Sequence, residues 1–118
     1  MSETPRVRFS KEVRRKVHEK CNGHCAYCGQ KITMSQMQID HVHSLRKGGS
    51  NEMDNLLPSC RSCNFMKSTS TLEDFRKHIQ RLPDILRRDS VTYKNAERFR
   101  IVEVSDKPIK FYFEHLYR

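Results

Sequence analysis

A small α+β fold stapled by a metal is what this sequence predicts, and three observations predict it. Four of its five cysteines fall into two C-x-x-C pairs, Cys25/Cys28 and Cys60/Cys63. Two short segments with strand character, residues 38–43 by alternation and the apolar Leu56-Leu57, lie between the pairs. Amphipathic helical stretches flank the pairs on both sides. The 118 residues are 36% hydrophobic and 31% charged, which leaves little apolar material for a core. A chain this short buries only about two-thirds of its unfolded surface, so it needs a staple.

Taken in order, residues 1–8 carry neither period and are expected to be loosely attached. Ser10 is placed to cap a helix over 11–20. Val13, Val17 and Cys21 follow at spacings of four, one helical stripe. Its other faces carry Arg14, Arg15, Lys16 and Lys20, either a solvated surface or one that meets phosphates. Cys25-Ala-Tyr-Cys28-Gly reads as a tight turn, residues 38–43 as a strand, and residues 46–51 as a Gly-Gly loop. Leu56-Leu57 is a second strand, ended by Pro58. A helix follows from Cys60 and breaks near residues 68–70.

Ser70 with Glu73, and Thr71 with Asp74, have capping-box spacing. They open a helix over 71–82 with Leu72, Phe75, Ile79 and Leu82 on one face, ended or kinked at Pro83. Alternation at 99–101 and 109–113, around a turn at 105–108, predicts a hairpin. The chain thus divides into a basic N-terminal arm and helix (1–20), a core with both cysteine pairs (21–70) and a C-terminal extension packing on the core (71–118).

The cysteine pairs carry the metal prediction. Two thiolates three residues apart can face one ion from a tight turn. Two such turns, here with 31 residues between them, complete the closed four-sulfur shell that Zn2+ favours. Neither pair sits in a βαβ pattern, which argues against a redox dithiol. Cys21, the odd thiol, falls on the helix stripe and is expected in the core.

Charge points to a partner. Lys and Arg number 23 against 14 Asp and Glu, a net +9 with a pI near 9.6, which suits nucleic acid. The excess is concentrated in residues 1–70, with 12 basic and 6 acidic side chains. No apolar run approaches the ~20 residues of a membrane span, and the start, Met-Ser-Glu-Thr-Pro-Arg, does not read as a secretory signal. A cytoplasmic location, where thiols stay reduced, is expected.

Between and after the knuckles run Asp40-His41, Gly48-Gly49-Ser50-Asn51, Asp54-Asn55-Leu56 and Cys60-Arg-Ser-Cys63-Asn64-Phe-Met-Lys67. In order and spacing, about residues 21–67 resemble the HNH endonuclease family in its four-cysteine, zinc-stapled form. The resemblance implies a ββα-metal core, a β-hairpin and helix around one divalent ion. It implies His41 as the general base that activates water, and Asp40 and Asn64 as ligands of a hard ion, Mg2+ or Mn2+. It implies that Asn55 holds the imidazole or the loop that positions it.

The chain departs from the family pattern in places. Asn64 stands where the family often has His, making an H-N-N variant. Ser44 stands where Pro is common, and His43 where an aliphatic residue is usual. By period two His43 shares a strand face with His41. Arg46, Lys47, Lys67 and His43 are candidate phosphate contacts, set against their reading as ordinary surface residues.

The leading function is metal-dependent cleavage of DNA, double-stranded DNA foremost, as nicks or double-strand breaks. The competing reading is an inactive zinc-stapled nucleic-acid-binding module, and a third is a protein-interaction domain on the same scaffold. Asp40, His41, Asn55 and Asn64 together favour the enzyme, since a purely structural module has no use for that set. The sequence does not set the oligomeric state.

Overall fold

The computed structural model describes residues 3–116. They fold as two compact units, one of residues up to 72 joined by residues from 110 onward, the other of residues 73–109.

The first unit opens with α1 (Lys11–Glu19), capped by the Ser10 hydroxyl, which accepts from the Val13 N–H at 3.2 Å. Val17 and Cys21 from its apolar stripe are fully buried. Two of its cations turn inward to the fold. The Arg14 guanidinium donates to the carbonyls of Met34 (3.0 Å) and Met37 (3.3 Å). The Lys20 ammonium donates to the carbonyls of Met53 and Leu56 (the latter at 2.7 Å), and burial lowers its pKa. Arg15 and Lys16 stay exposed and pair along the helix with Glu12 and Glu19.

Strands β1 (Gln38–His41) and β2 (Leu56–Ser59) pair antiparallel, with Asp40 opposite Leu57 and His41 opposite Leu56. The sequence ended β2 at Pro58, yet the strand runs through it. The Pro58 carbonyl turns outward to accept from Ala26 N–H at 2.8 Å. A strand residue's N–H points to the same side as its C=O, so the donor that proline lacks is not one β1 needs. Helix α2 (Arg61–Lys67) follows directly, its first turn capped by the Cys60 sulfur.

The C-terminal predictions need two corrections. Helix α3 (Leu72–Asp89) continues through Pro83. Its stripe does not stop there, because Ile85 is half-buried like Ile79 and Leu82. Helix α4 (Val91–Arg98) returns and is tied to α3 by a two-pronged ion pair, Arg87 to Glu97 at 2.8 and 2.6 Å.

The hairpin at 99–114 does not form. No described residue there lies in a strand, and residues Tyr112–Leu116 form a short helix, α5. Phe99 and Ile101 face solvent. The backbone N–H groups of Tyr112 and Phe113 go instead to the carbonyls of Tyr27 (3.1 Å) and Ala26 (2.8 Å) in the first cysteine turn. Phe111 is buried and meets the Tyr27 ring edge-on at 5.2 Å. No helix among the described residues is long and apolar enough to cross a membrane.

Candidate active site and metal staple

The two C-x-x-C turns converge as the sequence predicts. The sulfurs of Cys25, Cys28, Cys60 and Cys63 all lie within 4.8 Å of one another, and Cys28 Sγ is 3.9 Å from Cys60 Sγ. A tetrahedral Zn2+ with its usual bonds to sulfur sets sulfurs about 3.8 Å apart, so the four thiols fit a metal such as zinc. The first turn is shaped for the task. Cys25 N–H bonds Gln30 O (2.8 Å), Gly29 N–H returns to Cys25 O (3.0 Å), and Gln30 N–H points at Cys28 Sγ (3.5 Å). A hydrogen bond from the Cys63 thiol pulls the Cys25 thiol down to about 4, and the same bond, with burial, pushes Cys63 up. Cys21 stands outside the cluster, a buried thiol pushed up to about 11 by burial.

Beside this staple, β1 ends at Asp40-His41. Neighbours on a strand point to opposite faces, and the structure gives the two different surroundings. The Asp40 carboxylate is 3% exposed. It accepts from the Tyr27 hydroxyl, from Asn64 Nδ2 (3.3 Å) and from the Lys67 ammonium (3.2 Å to Oδ2). Burial pushes its pKa up, against the pull of Lys67 and of the Tyr27 hydrogen bond. Tyr27, between the first two cysteines, is itself pushed up by burial and by the Asp40 charge.

His41 is half-buried, with Nε2 2.9 Å from Asn51 Oδ1. Asp40, His41, Asn64, Arg46 and Arg6 line one open cleft of about 540 Å³.

Asn55 holds the loop. Its Oδ1 accepts from His43 N–H (2.8 Å), and its Nδ2 donates to the carbonyls of His43 (2.9 Å) and Ser50 (2.7 Å). Of the two roles the resemblance left open, this is the loop and not the imidazole, which Asn51 engages.

The candidate phosphate contacts divide. Arg46 lines the cleft, whereas His43 and Lys47 are exposed and do not. Lys67 is a correction: it is fully buried, donating to Asp40 and to the His41 carbonyl (3.1 Å), and does not meet solvent. Asn51 and Tyr27 were missed as site residues. The polar amide in the Gly-Gly loop was the one available signal for Asn51, and Tyr27 gave none beyond its place between two ligands. His24 Nδ1 bonds the carbonyls of Cys21 (3.2 Å) and Asn22 (3.0 Å), and its ring stacks on Tyr112 at 5.2 Å.

Comparison with known proteins bears on the same residues. The sequence model of the HNH endonuclease family matches residues 25–70. A CRISPR-associated endonuclease Cas9 of Corynebacterium diphtheriae is 36% identical over 58 residues, 48% of this chain and 5% of that protein. The crystal structure of the Type II-C Cas9 enzyme from Actinomyces naeslundii is similar at a TM-score of 0.53 and 27% identity, over 64% of this chain and 8% of that one. The chain therefore spans under a tenth of the length of either relative. Residues 25–70, which hold both cysteine turns together with Asp40, His41, Asn55 and Asn64, are thus the part of the chain that is similar to the HNH endonuclease family.

Proposed function

We propose that this domain hydrolyses phosphodiester bonds of double-stranded DNA, with His41 as general base and one divalent ion, Mg2+ or Mn2+, in the cleft. The observation that carries the reading is the shared cleft: His41, Asp40 and Asn64 line it together with two arginines. Asp40 and Asn64 would hold the ion, since a carboxylate and an amide oxygen are hard donors of the kind such ions take. Bound there, the ion would supply positive charge for the phosphate and its leaving oxygen. The four cysteines would hold Zn2+ as a separate, structural ion.

The protein's own groups do the rest. His41 takes a proton from the attacking water, whose oxygen forms the new bond to phosphorus as the bond to the leaving oxygen breaks. Arg6 and Arg46 offer charge to the flanking phosphates, contacts that position the strand without reading its bases. Lys67 balances the buried Asp40 charge.

A second reading, an inactive zinc-stapled nucleic-acid-binding module, draws on Asp40, which already accepts from Tyr27, Asn64 and Lys67.

The test is nicking of supercoiled plasmid with Mg2+ or Mn2+, with a chelator control, beside a His41→Ala protein that keeps its zinc. A general base contributes about 10²- to 10⁴-fold, so His41→Ala is expected to lose at least the lower figure. Equal nicking by His41→Ala overturns its role. A zinc-loaded wild type that binds DNA and cuts neither duplex, single-stranded nor modified DNA establishes the second reading.

A further inference from the structure

The His41 ring is oriented by a residue and a segment that the reading above does not use. Asn51 Oδ1 lies 2.9 Å from His41 Nε2, and Asn51 Nδ2 donates to the Pro5 carbonyl at 3.0 Å. A carbonyl only accepts, so Pro5 claims the amide's N–H end and leaves its oxygen toward the histidine. Nε2 must then carry the proton, and in the neutral ring Nδ1 keeps the lone pair.

The segment that supplies Pro5 is itself anchored. Expected from sequence to be loose, residues 3–9 form no regular element but are tied down at three points. Thr4 N–H donates to Leu45 O at 2.8 Å, Pro5 accepts from Asn51, and the Phe9 ring lies against the His41 ring with centroids 5.9 Å apart. Glu3, Thr4 and Arg6 of the same segment form one wall of the cleft.

We propose that Asn51, locked by the N-terminal arm, is the positioning residue for His41: it fixes the ring's rotation and tautomer so that Nδ1 is the atom that takes the proton. This rests on His41 being the general base. The bond chain runs from arm to amide to imidazole, so the arm contributes to the chemistry without touching the reacting atoms. An arm that is not seated leaves the Asn51 amide free to turn. Its NH2 end would then face the ring and favour the opposite tautomer, with the lone pair on Nε2.

The test uses the zinc-loaded 118-residue chain and two variants, Asn51→Ala and Asn51→Asp, each checked for zinc content and melting temperature. Long-range 1H–15N spectra of the histidine rings read the tautomer without any cleavage. Plasmid nicking with Mn2+ then separates kcat from KM.

The wild type is expected in the Nε2–H form. Asn51→Ala should mix the tautomers and lower kcat about 10- to 100-fold, with KM moved less than about twofold. Asn51→Asp keeps an acceptor facing Nε2, so it should hold the tautomer and recover most of kcat. An Nδ1–H ring in the wild type overturns the proposal, even if Asn51→Ala fails to fold. So does an Asn51→Ala protein with unchanged kcat, or equal losses in the Ala and Asp variants. A wild type that never nicks overturns the nuclease reading instead, and the tautomer spectrum still decides the Asn51 assignment.

Discussion

Lys67 shows how a single residue links stability to the site. Its ammonium lies 3.2 Å from Asp40 Oδ2, with Lys67 fully buried and Asp40 3% exposed. Two charges taken so far out of water gain little net stability as a pair, but removing one partner strands the other. Lys67→Met is therefore expected to cost about 3–5 kcal/mol in urea unfolding of the zinc-loaded protein. Asp40→Leu added to it should recover part of the loss, because no buried charge is then left alone. A single-variant cost under about 1 kcal/mol would mean that water reaches the pair. From sequence, a lysine one helical turn after Asn64 reads as surface, the default for its type. Its partner is 27 residues away, as Asn51 is 10 from His41 and Tyr27 is 13 from Asp40. The four cysteines were legible because each pair is local and four thiols at that spacing suit one soft, four-coordinate metal centre. Asp40, His41 and Asn64 were legible as an ordered pattern. The partners that hold them were not, since strand register and tertiary packing choose those partners and neither is written in local spacing.

At the scale of elements, the loop between the strands is as constrained as the strands themselves. Ser44 caps the turn Leu45–Lys47, Gly48 takes a left-handed φ of 87° and Gly49 N–H donates to Ser44 O at 2.8 Å. A side chain on Gly49 has nowhere to go, because its Cβ would stand 1.9 Å from the His43 carbonyl oxygen. Gly49→Ala must push back the backbone that Asn55 grips from the other side. It is expected to lower stability by about 1–3 kcal/mol and to slow cleavage while zinc content stays at the wild-type level. Unchanged urea unfolding would show that the loop has slack. The Gly-Gly pair announced a loop, but the close approach that requires glycine is a tertiary fact. The C-terminal misreading has a similar cause. Alternation at 109–113 correctly marked Phe111 as inward, yet alternation alone does not say what pairs with the backbone. Tyr27 and Ala26 supply the acceptors, so the segment docks on the cysteine turn rather than on a partner strand.

For the molecule as a whole, the composition required a staple, and the placement of the cysteines makes its removal a sharp test. Cys25, Cys60 and Cys63 count among the core residues, beside Ala26, Tyr27, Leu56 and Leu57 from the same turns and strand. Tyr27 joins the first cysteine turn directly to Asp40, so the staple and the cleft share a framework. Structural zinc in small domains supplies about 10–16 kcal/mol of apparent binding energy at neutral pH, comparable with the roughly 5–15 kcal/mol that a whole domain has to spare. The two proposed ions should therefore come away differently. Gel filtration into magnesium-free buffer is expected to stop nicking, leave one zinc per chain and leave the tyrosine near-ultraviolet circular dichroism intact, with activity restored by adding Mg2+ or Mn2+. Removing zinc with a strong chelator, or by acidification that protonates the thiolates, should instead abolish the tyrosine signal and the cooperative melt, and Mg2+ alone should not restore either. If the zinc-free protein kept its tyrosine signal and its melting transition, the small apolar core would be sufficient by itself, and the four cysteines would have to be explained by something other than folding.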